Sequence, residues 1–445
     1  MRRKPRPDLI VILAISTLAI PGSLATAQQA RQPPPRYYVL NLGDPGGGGL
    51  AAASSINNLG WTAGYSWETG NLNQHAFLWA GTPIDLNTLG GPNSVVAWPN
   101  KNNHGQIAGI SETADMNPLG EEWSCAQANF YPFITGHICL GFIWQDGVMT
   151  ALPPLPGGID SYAAGINDRD QVVGWAENGV HDPTCNSTPP INQVLQFEAV
   201  VWGPQLGRMM QLSPLAPDPD SAATAINDRG QIVGISGLCA NAAGTTSAEH
   251  AVLWENENVP PIDLGNFDGG RAWNTPTAIN NRGQIVGFGN QKGSPATAFN
   301  PVAFFWNKEH GIKAIPPYGD DTNSWAWSIN RHGQVVGQSF NQTTGAARAF
   351  LYENGRLTDL NQLIQADSSL DLQLANDIND EGEIVGFATD TNTGATVTFL
   401  AVPVYGSNQS ATGRAANLPL STTGGVRHSL VGTFSHLAAD AAGSK

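Results

Sequence analysis

Charge is scarce in this chain. Asp, Glu, Lys and Arg make up only 13% of its 445 residues, and acidic residues outnumber basic ones 36 to 21, giving a formal charge of −15. An acidic balance repels phosphate backbones and sets nucleic acid aside as a general partner. Cysteine is scarce as well. Cys125, Cys139, Cys185 and Cys239 are the whole set, and none has the Cys-x-x-Cys spacing of a zinc or dithiol redox motif. Beyond the first thirty residues no run is apolar enough to span a bilayer. Uninterrupted stretches of helix formers are missing too, because 51 glycines and 31 prolines break the chain. Among catalytic signatures there is no Gly-x-Ser-x-Gly, no His-Glu-x-x-His and no phosphate-cradling loop before a helix. The glycines from Gly46 to Gly49 follow a strand and Asp44-Pro45, with no helix beyond, and read as a turn.

The N-terminus is the exception to the lack of apolar runs. Arg2, Arg3, Lys4 and Arg6 precede an apolar stretch from Leu9 to Ile20, which Pro21 and Gly22 break before the small residues Ala25-Thr26-Ala27. That order predicts a secretory signal over 1–27 and a short linker over 28–36. Cleavage would remove four basic residues and Asp8, moving the formal charge from −15 to −18. In an oxidising compartment four cysteines suggest two disulfides, with three possible pairings.

What the chain has in abundance is repetition. One phrase recurs at Ile56 to Gly60, Asn102 to Gly109, Ile166 to Gly174, Ile226 to Gly234, Ile279 to Gly287, Ile329 to Gly337 and Ile378 to Gly386. In its full form it reads Ile-Asn-Asp-Arg-Gly-Gln-Ile-Val-Gly. Asn opening a tight turn bonds the backbone, and the following Gly takes the left-handed conformation of a bulged hairpin. Asp170 stands in that place in the third copy, where Asp is better tolerated than most residues. Apolar third strands follow, such as His75-Ala76-Phe77-Leu78-Trp79 and His250-Ala251-Val252-Leu253-Trp254. Short fourth strands such as Ile84-Asp85-Leu86 or Thr358-Asp359-Leu360 come next, often before a glycine pair such as Gly90-Gly91, Gly157-Gly158 or Gly269-Gly270. Four strands per roughly 40–50 residues is the blade of a propeller. The seventh copy lacks its fourth strand, and Tyr37 to Leu42 matches the missing piece. The expected fold is therefore all-β: a seven-bladed β-propeller over 37–404, its ring closed by the N-terminal strand completing the last blade. An open solenoid and two smaller propellers are the alternatives. Residues 405–445, rich in Ser, Thr, Ala and Gly, are expected to be a disordered tail.

The combination of Ile-Asn-x-x-Gly-x-Ile-Val-Gly, His-Ala-Phe-Leu-Trp and Asp-Leu-x-x-Leu-Gly-Gly resembles the bacterial extracellular HAF repeat. Ile56 to Gly91 is the best single match, and the resemblance runs from Tyr37 to Val404, with copies two, three and seven departing most from His-Ala-Phe. It implies secretion and a repeat architecture, and no established activity.

Two rims follow from this layout. The stereotyped Asn-Asp-x-Gly turns occupy one. The other carries the blade-to-blade loops and the long insertions, Glu112 to Leu140, Glu177 to Gln196 and Gly237 to Glu249, which hold every cysteine. Cys185 and Cys239 lie in the same loop of neighbouring copies, which allows a bridge between them and would leave Cys125 and Cys139 to staple the longest insertion, while all three pairings stay open. Varied loops on a repeated scaffold are where binding sits. The candidate ligand-binding residues are Asp160, Asp268, Asp320 and Asp321 with Tyr162, Trp273, Tyr318, Trp325 and Trp327. Carboxylates among aromatics suit a glycan, and carboxylate loops suit calcium, although no compact calcium-loop signature is present. No catalytic residue is singled out, because His75 and His250 hold equivalent repeat positions and read as structural. The leading expectation is a secreted monomeric binding module for an extracellular glycan or protein, with no membrane span after signal cleavage and no required cofactor. A propeller enzyme acting on extracellular polysaccharide and a structural envelope protein are the rivals.

Overall fold

The computed structural model describes residues 36–404, apart from 71–72, 128–129, 131–134, 186–191, 205–206, 240–247, 268–272 and 295–298. The expected signal, most of the linker and the tail over 405–445 lie outside the described residues. No helix of the described residues is long and apolar enough to cross a membrane.

The described chain is almost wholly strand. After β1 (Tyr37–Gly43), β2 (Gly47–Ile56), β3 (Thr62–Glu68), β4 (Gln74–Trp79) and β5 (Pro83–Asp85) run as an antiparallel meander. Five further four-stranded sheets repeat it, within 90–152, 161–211, 220–263, 275–315 and 323–359. The last strands, β26 (Leu370–Ile378), β27 (Ile384–Asp390) and β28 (Thr396–Pro403), have no fourth partner of their own. Instead β1 pairs antiparallel with β28, Tyr38 opposite Val402 and Leu40 opposite Leu400. This completes a quartet from the two ends of the strand order, as the sequence predicts. A single parallel bridge, Leu50 to Thr396, joins this quartet to β2–β5, so the two count as one eight-stranded sheet. The architecture is propeller-like.

The recurring phrase explains itself in hydrogen bonds. In the fourth copy Asn227 Oδ1 accepts the backbone N–H groups of Arg229 and Gln231, capping its own turn. The left-handed residue that closes the turn is Gly230 at φ 81°, and Asp170 at φ 58° in the third copy. Meanwhile Asn227 Nδ2 donates to the carbonyl of Asn280 in the next copy, 2.9 Å away. The same donation runs from Asn57 to Asn102, Asn102 to Asn167, Asn167 to Asn227, Asn280 to Asn330, Asn330 to Asn379 and Asn379 back to Asn57. These Asn side chains are all buried, so each amide must find its partners inside the protein. The links form a closed cycle.

The glycine that ends the phrase has a different cause. A Cβ on Gly174 would lie 1.8 Å from the Tyr162 carbonyl oxygen, and one on Gly234 would lie 2.0 Å from that of Ala222. The pairing of the first two strands bulges beside that point, and the first strand's carbonyl oxygen takes the space that a Cβ would need. Apolar clusters then fill the space between successive sheets, such as Val173, Val201 and Leu212 against Ile226, Ile232 and Trp254.

Candidate functional site

Described residues of the insertions, Trp123, Cys125, Phe130, Cys239 and Ala248, meet in one buried cluster. Two disulfides are present, and of the three possible pairings the structure holds Cys125–Cys139 and Cys185–Cys239. The second joins two neighbouring sheets. Around them lies an apolar cluster that the insertions share with strands of three sheets, in which Trp123 of a short helix (Trp123–Gln127) stacks on Phe197 at 4.3 Å and Tyr162 stacks on Trp175 at 4.0 Å. The insertions also carry Met116, Leu119, Val180 and Leu238, which are exposed large apolar side chains.

Inside this region acidic side chains gather. The five middle sheets carry an Asx-Ser or Asn-Thr pair in or just before their first strand, whose polar groups bond the preceding sheet or the loop leading into it. Asn93 Oδ1 accepts the Gln74 N–H, and Ser94 Oγ accepts that of Ala76. At the third and fourth sheets the Asx residue is Asp160 or Asp220, accepting the N–H of Cys139 and Phe197 respectively. Asn93 also donates from its amide to Glu112 at 2.9 Å. Asp160 has no amide to give, yet it faces Glu177, which occupies the same register as Glu112. Glu121, from the longest insertion, completes a group with Asp160 and Glu177 in which one oxygen from each lies within 4.8 Å of the others. All three residues are fully buried.

Burial dominates the acid–base behaviour of these groups. Burial first, and then the charge of Glu121, push Glu177 up to about 8. Asp160 is raised well above the usual carboxylate range by burial and by the neighbouring charge of Glu177. Burial also raises Glu121 and Glu112, and brings Glu122 up to about 7. Nearby, Asp220 is pushed up to about 8 by burial and by Asp182 and Glu198, while burial takes Glu198 up to about 7.

The residues singled out from sequence are dispersed. Asp160 and Tyr162 are buried in the insertion region, not displayed on a rim. Trp325 is buried in a separate aromatic cluster with Phe288, Phe299 and Phe340, which Trp327 joins at 6.3 Å. Trp327 also meets Trp98 of the second sheet edge-on at 5.8 Å, and Trp273 packs on Phe299 at 4.6 Å. Asp321 pairs with Arg348 at 2.9 Å and accepts from Ser339, and Arg348 lies 5.4 Å over the Tyr318 ring. Asp320 is exposed, and Asp268 lies outside the described residues. Two of them, Asp321 and Tyr318, thus meet around Arg348, and Asp160 falls within a group of buried carboxylates. Glu121, Glu177 and Gln193 were not singled out, yet the repeat holds a signal for Glu177. Six residues into the phrase's strand the other copies place Trp67, Gly237, Asn290, Phe340 and Thr389, and only Glu112 and Glu177 are acidic.

The repeat histidines are cross-strand partners. His75 Nδ1 lies 2.9 Å from Asp85, and His250 Nδ1 lies 3.2 Å from Asp263. Burial lowers the His75 pKa, but the bond to Asp85 with the charges of Asp85 and Glu68 outweighs it, so the net shift is upward. On the opposite face the turns surround a depression lined by Lys101, Asp168, Asp228, Arg331 and Asp380 among asparagines. Its carboxylates are engaged. Asp168 accepts from Asn103, Asp228 from Asp168 N–H and Asn281, and Asp380 from Arg331 N–H and Asn58. Lys101 pairs with the buried Asp377.

Residues 219–417 match a family described as a protein of unknown function (DUF3466). A search of curated protein sequences returned no match. Solved structures with similar topology include the acylaminoacyl peptidase of Pyrococcus horikoshii, at 10% identity and TM-score 0.42, covering 81% of this chain and 52% of that one. The gluconolactonase of Xanthomonas campestris is similar at 11% identity and TM-score 0.31, covering 60% and 79%. The sialidase of Trypanosoma rangeli is similar at 8% identity and TM-score 0.35, covering 83% and 58%. The chain spans about half the length of the peptidase that it matches. At these scores the likenesses do not bear on function.

Proposed function

We propose that this chain is a secreted, closed, seven-bladed propeller of HAF-type repeats that binds an extracellular protein through its insertion-bearing face. The cycle of seven asparagine bonds and the β1–β28 pairing support closure. Two disulfides fit an oxidising compartment. The observation that carries the binding reading is the insertion face itself. Two cross-links and an apolar cluster shared with the strands beneath hold loops that a scaffold does not need, and pre-ordering a surface lowers the entropic cost of binding.

A protein partner fits better than a glycan. Sugars stack on accessible aromatic faces, whereas Trp123, Tyr162, Trp175 and Trp325 are buried. The exposed apolar groups of the insertions, Met116, Leu119, Val180 and Leu238, are aliphatic. The carboxylates with strongly raised pKa values are equally sealed from any polymer, which disfavours an acid–base hydrolase built on them.

The test is a triple variant, Met116→Glu, Val180→Glu and Leu238→Glu, compared with wild type for capture of proteins from the producing organism's extracellular and envelope fractions and on a glycan array. A protein retained by wild type and lost by the variant supports the reading. Equal retention by both, or a glycan ligand unaffected by the variant, overturns it.

A further inference from the structure

We propose that the depression on the turn face binds a free α-amino acid. Arg331 and the backbone N–H of Asn281 take its carboxylate, and neighbouring aspartates take its ammonium. The inference goes beyond the binding reading and uses none of the insertion residues.

The recurring turn builds a second ring beside that of the buried asparagines. The residue after each buried Asn is Asn or Asp in six of the seven copies. Its side-chain oxygen accepts the backbone N–H of the same position in the preceding copy. Such bonds run from Asn58 to Asn103, Asn103 to Asp168, Asp168 to Asp228, Asp228 to Asn281, Arg331 to Asp380 and Asp380 to Asn58, at 2.6–2.9 Å.

The sixth copy breaks this ring. Arg331 stands where an acceptor is needed, so the Asn281 N–H has no partner among the described residues. Six copies fill that place with a carboxylate or carboxamide oxygen, and the exception leaves an open donor beside a guanidinium. A carboxylate is the group that fits there, because the N–H and the guanidinium both donate to it and Arg grips carboxylates with a planar fork. The Arg331 side chain is 54% exposed. It bonds His332 through Nε at 3.1 Å and lies 3.9 Å from Glu381, which leaves donors for a ligand.

The cavity supplies the other half of the argument. It holds about 150 Å³, and Asn281, Arg331, Asp228, Asp380 and Lys101 all line it. Pockets for drug-sized ligands start at about 300 Å³, so this one suits a much smaller molecule. Lys101 gives two of its three donors to Asp377 and the Ile378 carbonyl and keeps one. A bare anion entering here would meet Asp168, Asp228 and Asp380, and a bare cation would meet Lys101 and Arg331. A molecule with both charges a few bonds apart satisfies both sets, and an α-amino acid is such a molecule. Asp228 lies next to Asn281 in the ring, and Asp380 lies next to Arg331. Each of their oxygens takes a single donor from the ring and keeps a lone pair for an ammonium.

The test is thermal melting of the purified full chain with each standard free amino acid, and with the N-acetylated and C-amidated forms of any that binds. At least one free amino acid should raise the wild-type Tm by about 2–4 °C at saturation. Either blocked form should lose that shift, since each lacks one of the two charges. Arg331→Asn should fold, because Asn holds the same place at Asn58, Asn103 and Asn281. It should close the ring, so that its ligand-free Tm equals or exceeds that of wild type while the amino-acid shift is lost. A wild type that no amino acid shifts overturns the proposal. So does a shift kept by Arg331→Asn, or blocked forms that act equally. An Arg331→Asn variant that melts below ligand-free wild type overturns it too, because Arg331 would then serve the fold.

Discussion

Asparagine does two jobs at once in the recurring turn. Its Oδ1 caps two local N–H groups and its Nδ2 holds the neighbouring blade, so no other side chain substitutes for it. Aspartate keeps the first role and loses the second, while placing a carboxylate oxygen against a carbonyl. Asn227→Ala should therefore destabilise the protein by about 2–4 kcal/mol, the cost of stranding several buried polar groups. Asn227→Asp should also lower Tm, and the two are compared by thermal melting. A second residue-scale expectation concerns Asp220 and Glu198, whose folded pKa values are about 8 and about 7. In the unfolded chain they ionise near the usual value of about 4. Between those limits the folded state holds more protons, so stability is fully present at low pH and falls as pH rises through 7 to 8. The groups facing Asp220 are Asp182 and Glu198, both acidic, which reinforces the sign. Tm should drop from about pH 5 to about pH 8, and Asp220→Asn should flatten that slope and raise Tm at the upper end. An unchanged slope in the variant would refute the assignment.

Among the elements, the insertions are long loops that local turn chemistry does not order. Their described parts are held by the apolar cluster around Trp123, which they share with strand residues such as Tyr162, and by the cross-links. The Cys185–Cys239 bridge closes a segment of 54 residues and Cys125–Cys139 one of 14, separations worth about 4 and about 3 kcal/mol in the chain-entropy account. Replacing Cys185 and Cys239 together by Ser should expose the insertions to proteolysis well before the strands are cut, as read by limited digestion and mass spectrometry. If the cleavage pattern matches wild type, the bridge does not order that surface. The existence of these elements was legible, since composition and spacing marked three insertions and a cysteine in each. Their interior was not, because Glu121 and Gln193 meet Glu177 only after two separate loops have folded onto one blade.

At the level of the whole molecule, β1 completes the quartet that β26 to β28 begin. It contributes Tyr37 and Val39 to the core shared with Leu372, Ile384 and Phe399. It also covers the edge of β28, which would otherwise present unpaired backbone groups. Deleting residues 37–43 should lower Tm by more than any single substitution above and should promote association through the open edge. Melting and light scattering read the two effects. A monomeric deletion variant with wild-type Tm would show that the chain does not depend on closure.

The sequence by itself determined the strands, the turns and their order, because alternating short apolar runs, Asn-x-x-Gly turns and a displaced first strand are local features with local causes. It also determined that one rim would be irregular and cross-linked. Only the tertiary structure decided which acidic residues matter. Asp160 looks in sequence like one more loop aspartate beside Asp320 and Asp321. Folding leaves Asp320 in water, pairs Asp321 with Arg348, and presses Asp160 against Glu177 and Glu121 where water cannot reach. Burial is set by what distant segments pack over a side chain, and no residue carries that information in its own neighbourhood.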